Sequence, residues 1–276
     1  AYRLQKAWRR NRLVFASTAM VVMSLVLGLG VTLRMFGRER AATAELRAER
    51  ISGVVDRAMF AAMSADSQAM ALALDEARAK EVSGGQISLL KGLHALTLGD
   101  TEGALQHLGE SCKALPDSPT PRALLATANV YAQRYQDYDI VVSQLIRQRE
   151  TTPEDYLFKG QALCFDDWDA GLPLMDKAVA LKPSAMAHIL RSESRVIRAW
   201  NSGKPADIEA ALADVEAARA KSWSQQHLQL VLNSCQAHAN AAVIYRRAGD
   251  TARWTNHLAA AEADGRRLEA FPRIPL

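Results

Sequence analysis

The sequence predicts an all-α chain: a single transmembrane helix followed by an α-solenoid of helical hairpins. Three observations lead there. An uncharged apolar block runs from Leu13 to Leu33 between arginines. Beyond residue 41 the chain is rich in alanine and leucine, with polar breaks every 12–18 residues. Those breaks recur with a period of 34 residues in the segments 51–84 and 85–118.

The apolar block is 21 residues long. As a helix it would measure roughly 30 Å, the thickness of a bilayer's hydrocarbon core. A buried core helix would be shorter and carry a polar stripe. A cleaved signal peptide would have a shorter apolar region followed closely by small residues. Here Arg34, Arg38, Glu39 and Arg40 precede the small residues at Ala41. Residues 13–35 are therefore read as the helix contacting the lipid bilayer, residues 1–12 as its basic juxtamembrane flank and residues 36–50 as a helical connector. Basic residues flank both ends, and the closest turns place the N-terminal side in the cytoplasm and the repeats outside, a single-pass membrane protein. Ser24, Gly28 and Thr32 share a face at four-residue spacing, a pattern for homodimer contact within the membrane. The first residue is Ala and the block begins a dozen residues later, which suggests a missing upstream segment.

Charge divides the same way. The chain has 276 residues and formal net charge +4. Residues 1–50 carry +7 and residues 51–276 carry −3. The basicity belongs to the membrane flanks, where it meets anionic headgroups, and the main argument for nucleic-acid binding disappears. Cys112, Cys164 and Cys235 are too widely spaced for a disulfide framework or a zinc cluster and read as small buried hydrophobes.

The repeat domain is placed at 51–276. Its first two units, 51–84 and 85–118, superimpose without a gap. Ala58 matches Gly92, Ala65-Asp66 matches Gly99-Asp100, Leu74 matches Leu108 and Ala77 matches Ser111. Helices in a hairpin approach to about 8–10 Å, so small residues must stand where they cross. A 34-residue helix-turn-helix unit with this pattern is the tetratricopeptide signature. The third unit (119–152) has Ala128 and Tyr131. The fourth (153–183) has Gly160, Gly171, Met175, Ala178 and Pro183 in the corresponding places. The fifth (184–222) keeps ALADVEAA around an inserted NSGKPAD. The sixth (235–268) offers Ala242, Tyr245, Gly249-Asp250, Leu258 and Ala261, with Trp254 where alanine is usual.

Three stretches, TPEDYLFKG, GLPLMDKAVALKPSAMAHILRSE and LLKGLHALTLGDTEGALQHLGES, carry a resemblance to a known family. The chain resembles the C-terminal portion of planctomycete-type transmembrane serine/threonine protein kinases. The resemblance implies a cytoplasmic kinase domain upstream, then the anchor, then a tetratricopeptide-like region for sensing or partner binding. It assigns this chain no catalysis, because the glycine-rich loop, strand lysine, catalytic loop and Asp-Phe-Gly site of a kinase are missing. LGLGVT, with Gly28 and Gly30, lies inside the apolar block and is no phosphate loop. The alternative is a stand-alone membrane-tethered scaffold for complex assembly.

Other chemistry is weakly supported. Asp166, Asp167 and Asp169 in FDDWDAG fit a repeat turn better than a calcium loop. Cys235 and His238 share a helix face without further ligands, and no spacing joins His94, His107, His188, His227 and His257 into a site. No catalytic residue, metal or cofactor is expected. The expected partner is a protein or peptide on the concave face of the repeats, lined by the first helix of each unit. On this frame Gln86, Arg122, Asn129, Glu154 and Gln161 point into the groove.

Overall fold

The computed structural model describes residues 34–36, 38–40, 51, 53–63, 66–221, 228–269 and 271. The chain divides into two compact units, 1–53 and 54–276. In the first, residues 34–36 and 38–40 are helical, with Met35 and Phe36 exposed. The apolar block Leu13–Leu33 and its Ser24, Gly28, Thr32 face lie outside the described residues. Among the described residues no helix is long and apolar enough to cross a membrane.

The second unit is all helix among its described residues. A short helix α1 over 54–62 is followed by α2 (Ser67–Ala79), α3 (Gly84–Thr97), α4 (Thr101–Ala114), α5 (Pro119–Tyr131) and α6 (Tyr135–Leu145). Then come α7 (Pro153–Leu163), α8 (Trp168–Leu181), α9 (Ala185–Ser202), α10 (Pro205–Lys221), α11 (Leu228–Arg247) and α12 (Thr251–Leu268). From α3 onward each odd-numbered helix packs against the even one after it, and the odd helices also stack on one another. That is the layering of a tetratricopeptide-like helical repeat.

Side chains of the sequence start and stop these helices. Asp66, Asp100, Asp167 and Asp250 accept backbone N–H bonds at the N-termini of α2, α4, α8 and α12. Ser83 and Ser184 do so for α3 and α9. Such caps satisfy donors that the helix itself leaves open. FDDWDAG is thus a helix start: Asp167 Oδ1 accepts from the Asp169 and Ala170 backbones at 2.9 and 3.2 Å. At α7, Thr152 and Asp155 cap each other's backbone in a reciprocal box. Asp155 is buried and also accepts from Thr120 Oγ1 on α5 at 2.8 Å, tying two neighbouring first helices together.

The hairpin crossings are tight. A Cβ on Gly160 would stand 2.7 Å from the carbonyl oxygen of Gly171, so α7 and α8 meet backbone to backbone. A Cβ on Gly92 would meet Leu108 Cγ at 2.5 Å. Ser111, fully buried at the equivalent of Ala77, donates from Oγ to the Gly85 carbonyl at 2.8 Å and pins α4 to α3.

The turn between helices also repeats. Gly99 and Gly249 adopt φ of 76° and 77°, and an aspartate cap follows each. Thirty-four residues after Gly99, Gln133 takes the same left-handed conformation at φ 59°, and Arg134 follows without a side-chain cap.

Two differences from the sequence frame stand out. The first helix of the last hairpin already covers Leu228, ahead of 235. It is 20 residues long, and its extra N-terminal turns bury Leu230 and Val231. Leu258 is exposed on the outer side of α12, while Trp254 packs half-buried against the second core under Arg246. The two cores divide at α9, which gives Ala187 and Leu190 to one and Ile189, Val196 and Ala199 to the other.

Urea unfolding tests the crossing and the turn. Gly171→Ala forces α7 and α8 apart and should cost about 1–3 kcal/mol. Gln133→Gly removes the left-handed strain and should add up to about 1 kcal/mol.

Candidate functional site

The odd-numbered helices bring one face of each hairpin inward. There they line an open cleft of about 180 Å³. Leu93 of α3, Leu124 of α5, Phe158 of α7 and Leu190 of α9 form its apolar floor. Thr127, Gln161, Glu193 and Gln229 supply its polar walls, and Met63, just past α1, closes one end. First helices of all the hairpins therefore contribute, although these residues are spread from 63 to 229 in sequence.

Glu193 is the unusual group. It is half-buried, and its charge, after burial, helps push up the pKa of the Tyr131 phenol in the same cleft. Burial among the groove side chains pushes its pKa up to about 7. A carboxyl held near a neutral pKa with room beside it is arranged to meet a cation or a hydrogen-bond donor.

Helix α1 lies along the same face. Val54, Ala58, Met59, Ala61, Ala62 and Met63 are all buried, whereas α2, its hairpin partner, buries only Met70 and Ala77. At its N-terminal end both Asp56 carboxylate oxygens lie 2.8 Å from Lys182 Nζ, which also donates to Glu154 Oε1 at 3.0 Å. Burial alone would lower the Lys182 pKa, but the hydrogen bonds it donates to Asp56 and Glu154 raise it above the ordinary lysine value. At its other end the Ala62 carbonyl accepts from His94 Nδ1 of α3 at 3.1 Å. Beside Asp56, Phe60, Lys182 and Met186 is a second open cleft of about 440 Å³.

The five residues expected in the groove are distributed unevenly. Gln161 lines the first cleft and Glu154 the second. Gln86 is drawn into the α3 cap, its Oε1 accepting from Ser83 Oγ at 3.2 Å. Asn129 is buried and donates to the Leu125 carbonyl of its own helix at 3.0 Å. Arg122 is half-buried and acts on the Cys112 thiol of α4, away from the groove.

Away from the groove, His238 and His257 stack with ring centroids 5.3 Å apart and Nδ1 atoms at 3.0 Å. One nitrogen must donate and the other accept. Burial and then the neighbouring ring hold His238 below the usual histidine pKa; burial and then Arg253 do so for His257. Sequence spacing gave no signal for this pair, because the two residues meet only when α12 folds back on α11. Among the described residues no group of three or more His, Cys, Asp or Glu is placed to hold a metal.

No protein-family model and no curated protein matches the chain. Among solved structures it is similar to the MamA protein, at 16% identity over 69% of this chain and 98% of that one, with a TM-score of 0.41. It is also similar to YrrB, a TPR protein with an unusual peptide-binding site, at 15% identity over 75% of this chain and 98% of that one, with a TM-score of 0.40.

The Glu193 carboxyl has a signature in stability. Its folded pKa of about 7 lies above the ordinary glutamate value of 4.5, so the folded state binds the proton more tightly. Stability contributed by this group is present below pH 4.5 and lost as pH rises through 7. Glu193→Gln should therefore match the unaltered chain near pH 4 and exceed it by on the order of 2 kcal/mol at pH 8. Urea denaturation at the two pH values reads the difference.

Proposed function

We propose that this chain is a protein-interaction module that binds a peptide or helical partner along the face made by its first helices. Residues 13–35 tether it to a membrane with the N-terminal side in the cytoplasm, as part of a receptor-like serine/threonine protein kinase whose kinase domain is outside this chain. The tether and the kinase rest on the sequence alone. The interaction role is supported by the repeat fold and by an open cleft on that face that combines apolar side chains with a half-buried carboxyl, Glu193. The solved YrrB structure is described as having a peptide-binding site, in keeping with this reading.

The chemistry of the site defines the partner's contact. An apolar floor takes aliphatic or aromatic side chains, while Glu193 and Gln161 receive a cationic or N–H-bearing group. Peptides selected from a random displayed library against the full chain, measured by fluorescence polarisation, test this. Glu193→Gln and Gln161→Ala should each weaken binding about tenfold, the loss expected for a charged or buried hydrogen bond. Affinity should rise between pH 6 and 8 as Glu193 ionises through its pKa of about 7. Selected peptides whose affinity ignores both substitutions would refute the groove as the binding surface.

A further inference from the structure

The last hairpin is closed through two imidazoles. His238 of α11 and His257 of α12 bring their Nδ1 atoms to 3.0 Å. Tyr245 of α11 stacks on His257 as well, at 5.4 Å between centroids and 9° between planes. Its hydroxyl donates to Glu209 of α10, which Arg253 of α12 also reaches at 2.8 Å. Three helices therefore meet around one histidine–histidine hydrogen bond.

That bond depends on a lone pair. With both rings neutral, one Nδ1–H donates and the other Nδ1 accepts. A first proton leaves the bond in place, because an imidazolium still donates to a neutral ring. A second proton removes the acceptor and sets two like charges 3.0 Å apart. Burial, the largest effect on each ring, disfavours charge on both. Around His238, the His257 ring and Arg219 add to it, while Asp264 and Glu216 work against it. Around His257, Arg253 adds to it and Glu209 works against it. Each of these carboxylates is already matched to an arginine: Asp264 to Arg267 at 3.0 Å, Glu216 to Arg219 and Glu209 to Arg253. Asp264 also accepts from the buried Ser234 hydroxyl.

The two helices are held unequally. α11 buries nine of its residues, Tyr245 among them in the second core, whereas α12 buries Ala261 and Asp264. Repulsion between the rings is relieved by movement of α12, the helix with less apolar surface to lose.

We propose that the His238–His257 pair is an acid-sensitive latch, which seats α12 on α11 at neutral pH and releases α12 when both rings are charged. Release uncovers the face of α11 beneath α12, including Cys235, whose Sγ donates to the Ala261 carbonyl at 3.5 Å. Both rings are held below the ordinary histidine value of 6.5, so the folded state binds their protons less tightly than the unfolded chain. The stability they contribute is present above pH 6.5 and lost as pH falls through the folded values. That sign is opposite to the one at Glu193, and the latch holds whether or not the groove takes a peptide.

Hydrogen exchange of the full chain at pH 7.5 and 4.5, expressed as protection factors so that the intrinsic pH dependence divides out, tests the latch. Protection of α12 should fall about tenfold at the lower pH, the worth of the one hydrogen bond lost. α9 and α10 should keep theirs. His238→Asn and His257→Asn each leave an uncharged amide close to where Nδ1 stands. In either variant α12 should keep at pH 4.5 the protection it has at pH 7.5. Constant α12 protection in the unaltered chain, or an equal fall in the variants, would overturn the latch. A fall shared by α9 and α10 would be global acid unfolding and would overturn it too. If one variant folds poorly, the other decides; loss of α12 in both already at pH 7.5 would make the pair a fixed structural bond and end the proposal.

Discussion

Helix backbones in this molecule touch, and everything else follows from that contact. At the α7–α8 crossing Gly160 and Gly171 leave no room for a Cβ on either helix, and Leu108 fills the space that Gly92 leaves over α3. Close crossing fixes the angle and register of each hairpin. Neighbouring hairpins then stack first helix on first helix, and one face of every unit turns inward. The groove and its carboxyl are thus consequences of where glycine, alanine and serine stand.

Apolar packing does not by itself say which hairpin follows which, and buried polar groups add that information. Between α8, α9 and α10, Asp214 receives His188 Nδ1 at 2.9 Å, Arg191 Nε at 2.8 Å and Arg195 Nη1 at 2.8 Å, while Asp176 takes the other arms of both arginines. Between the third and fourth hairpins, Lys159 donates to the carbonyls of Ile146 and Gln148 and pairs with Glu150, and Tyr138 donates to the Ala162 carbonyl at 3.0 Å. A buried carboxylate such as Asp214 is satisfied only when all its donors arrive together, so the network is a register device as much as a source of stability. α9 carries this network between the two cores.

The helical hairpins were legible in the sequence because the crossing requirement is local. Glycine at 92, 160 and 171 and glycine-aspartate turns at 99 and 249 mark a hairpin without knowledge of its neighbours. Curvature is not local in that sense. Nothing in residues 54–62 says that α1 lies against α7 and α9, since small and apolar residues suit any crossing. The groove residues suffered from the same limit. Gln161 lines a cleft, but one turn of helix decides whether a side chain faces the groove, a cap or its own helix. Gln86 and Asn129 found nearer partners. Glu193 was passed over because an isolated glutamate on a helix reads as solvated surface until the fold half-buries it. The turns of α11 ahead of 235 were missed because they lack the small-residue mark that fixed the frame there.

The central claim is that the stacked hairpins turn one face onto a common cleft, with Met63 beside side chains from distant hairpins. It is tested most directly by nuclear Overhauser effects from the Met63 methyl group in selectively methyl-labelled protein. Contacts to Leu93 and Leu124 together with Leu190 are the predicted result. A Met63 methyl with random-coil shift, or with contacts confined to α2 and α3, would contradict it.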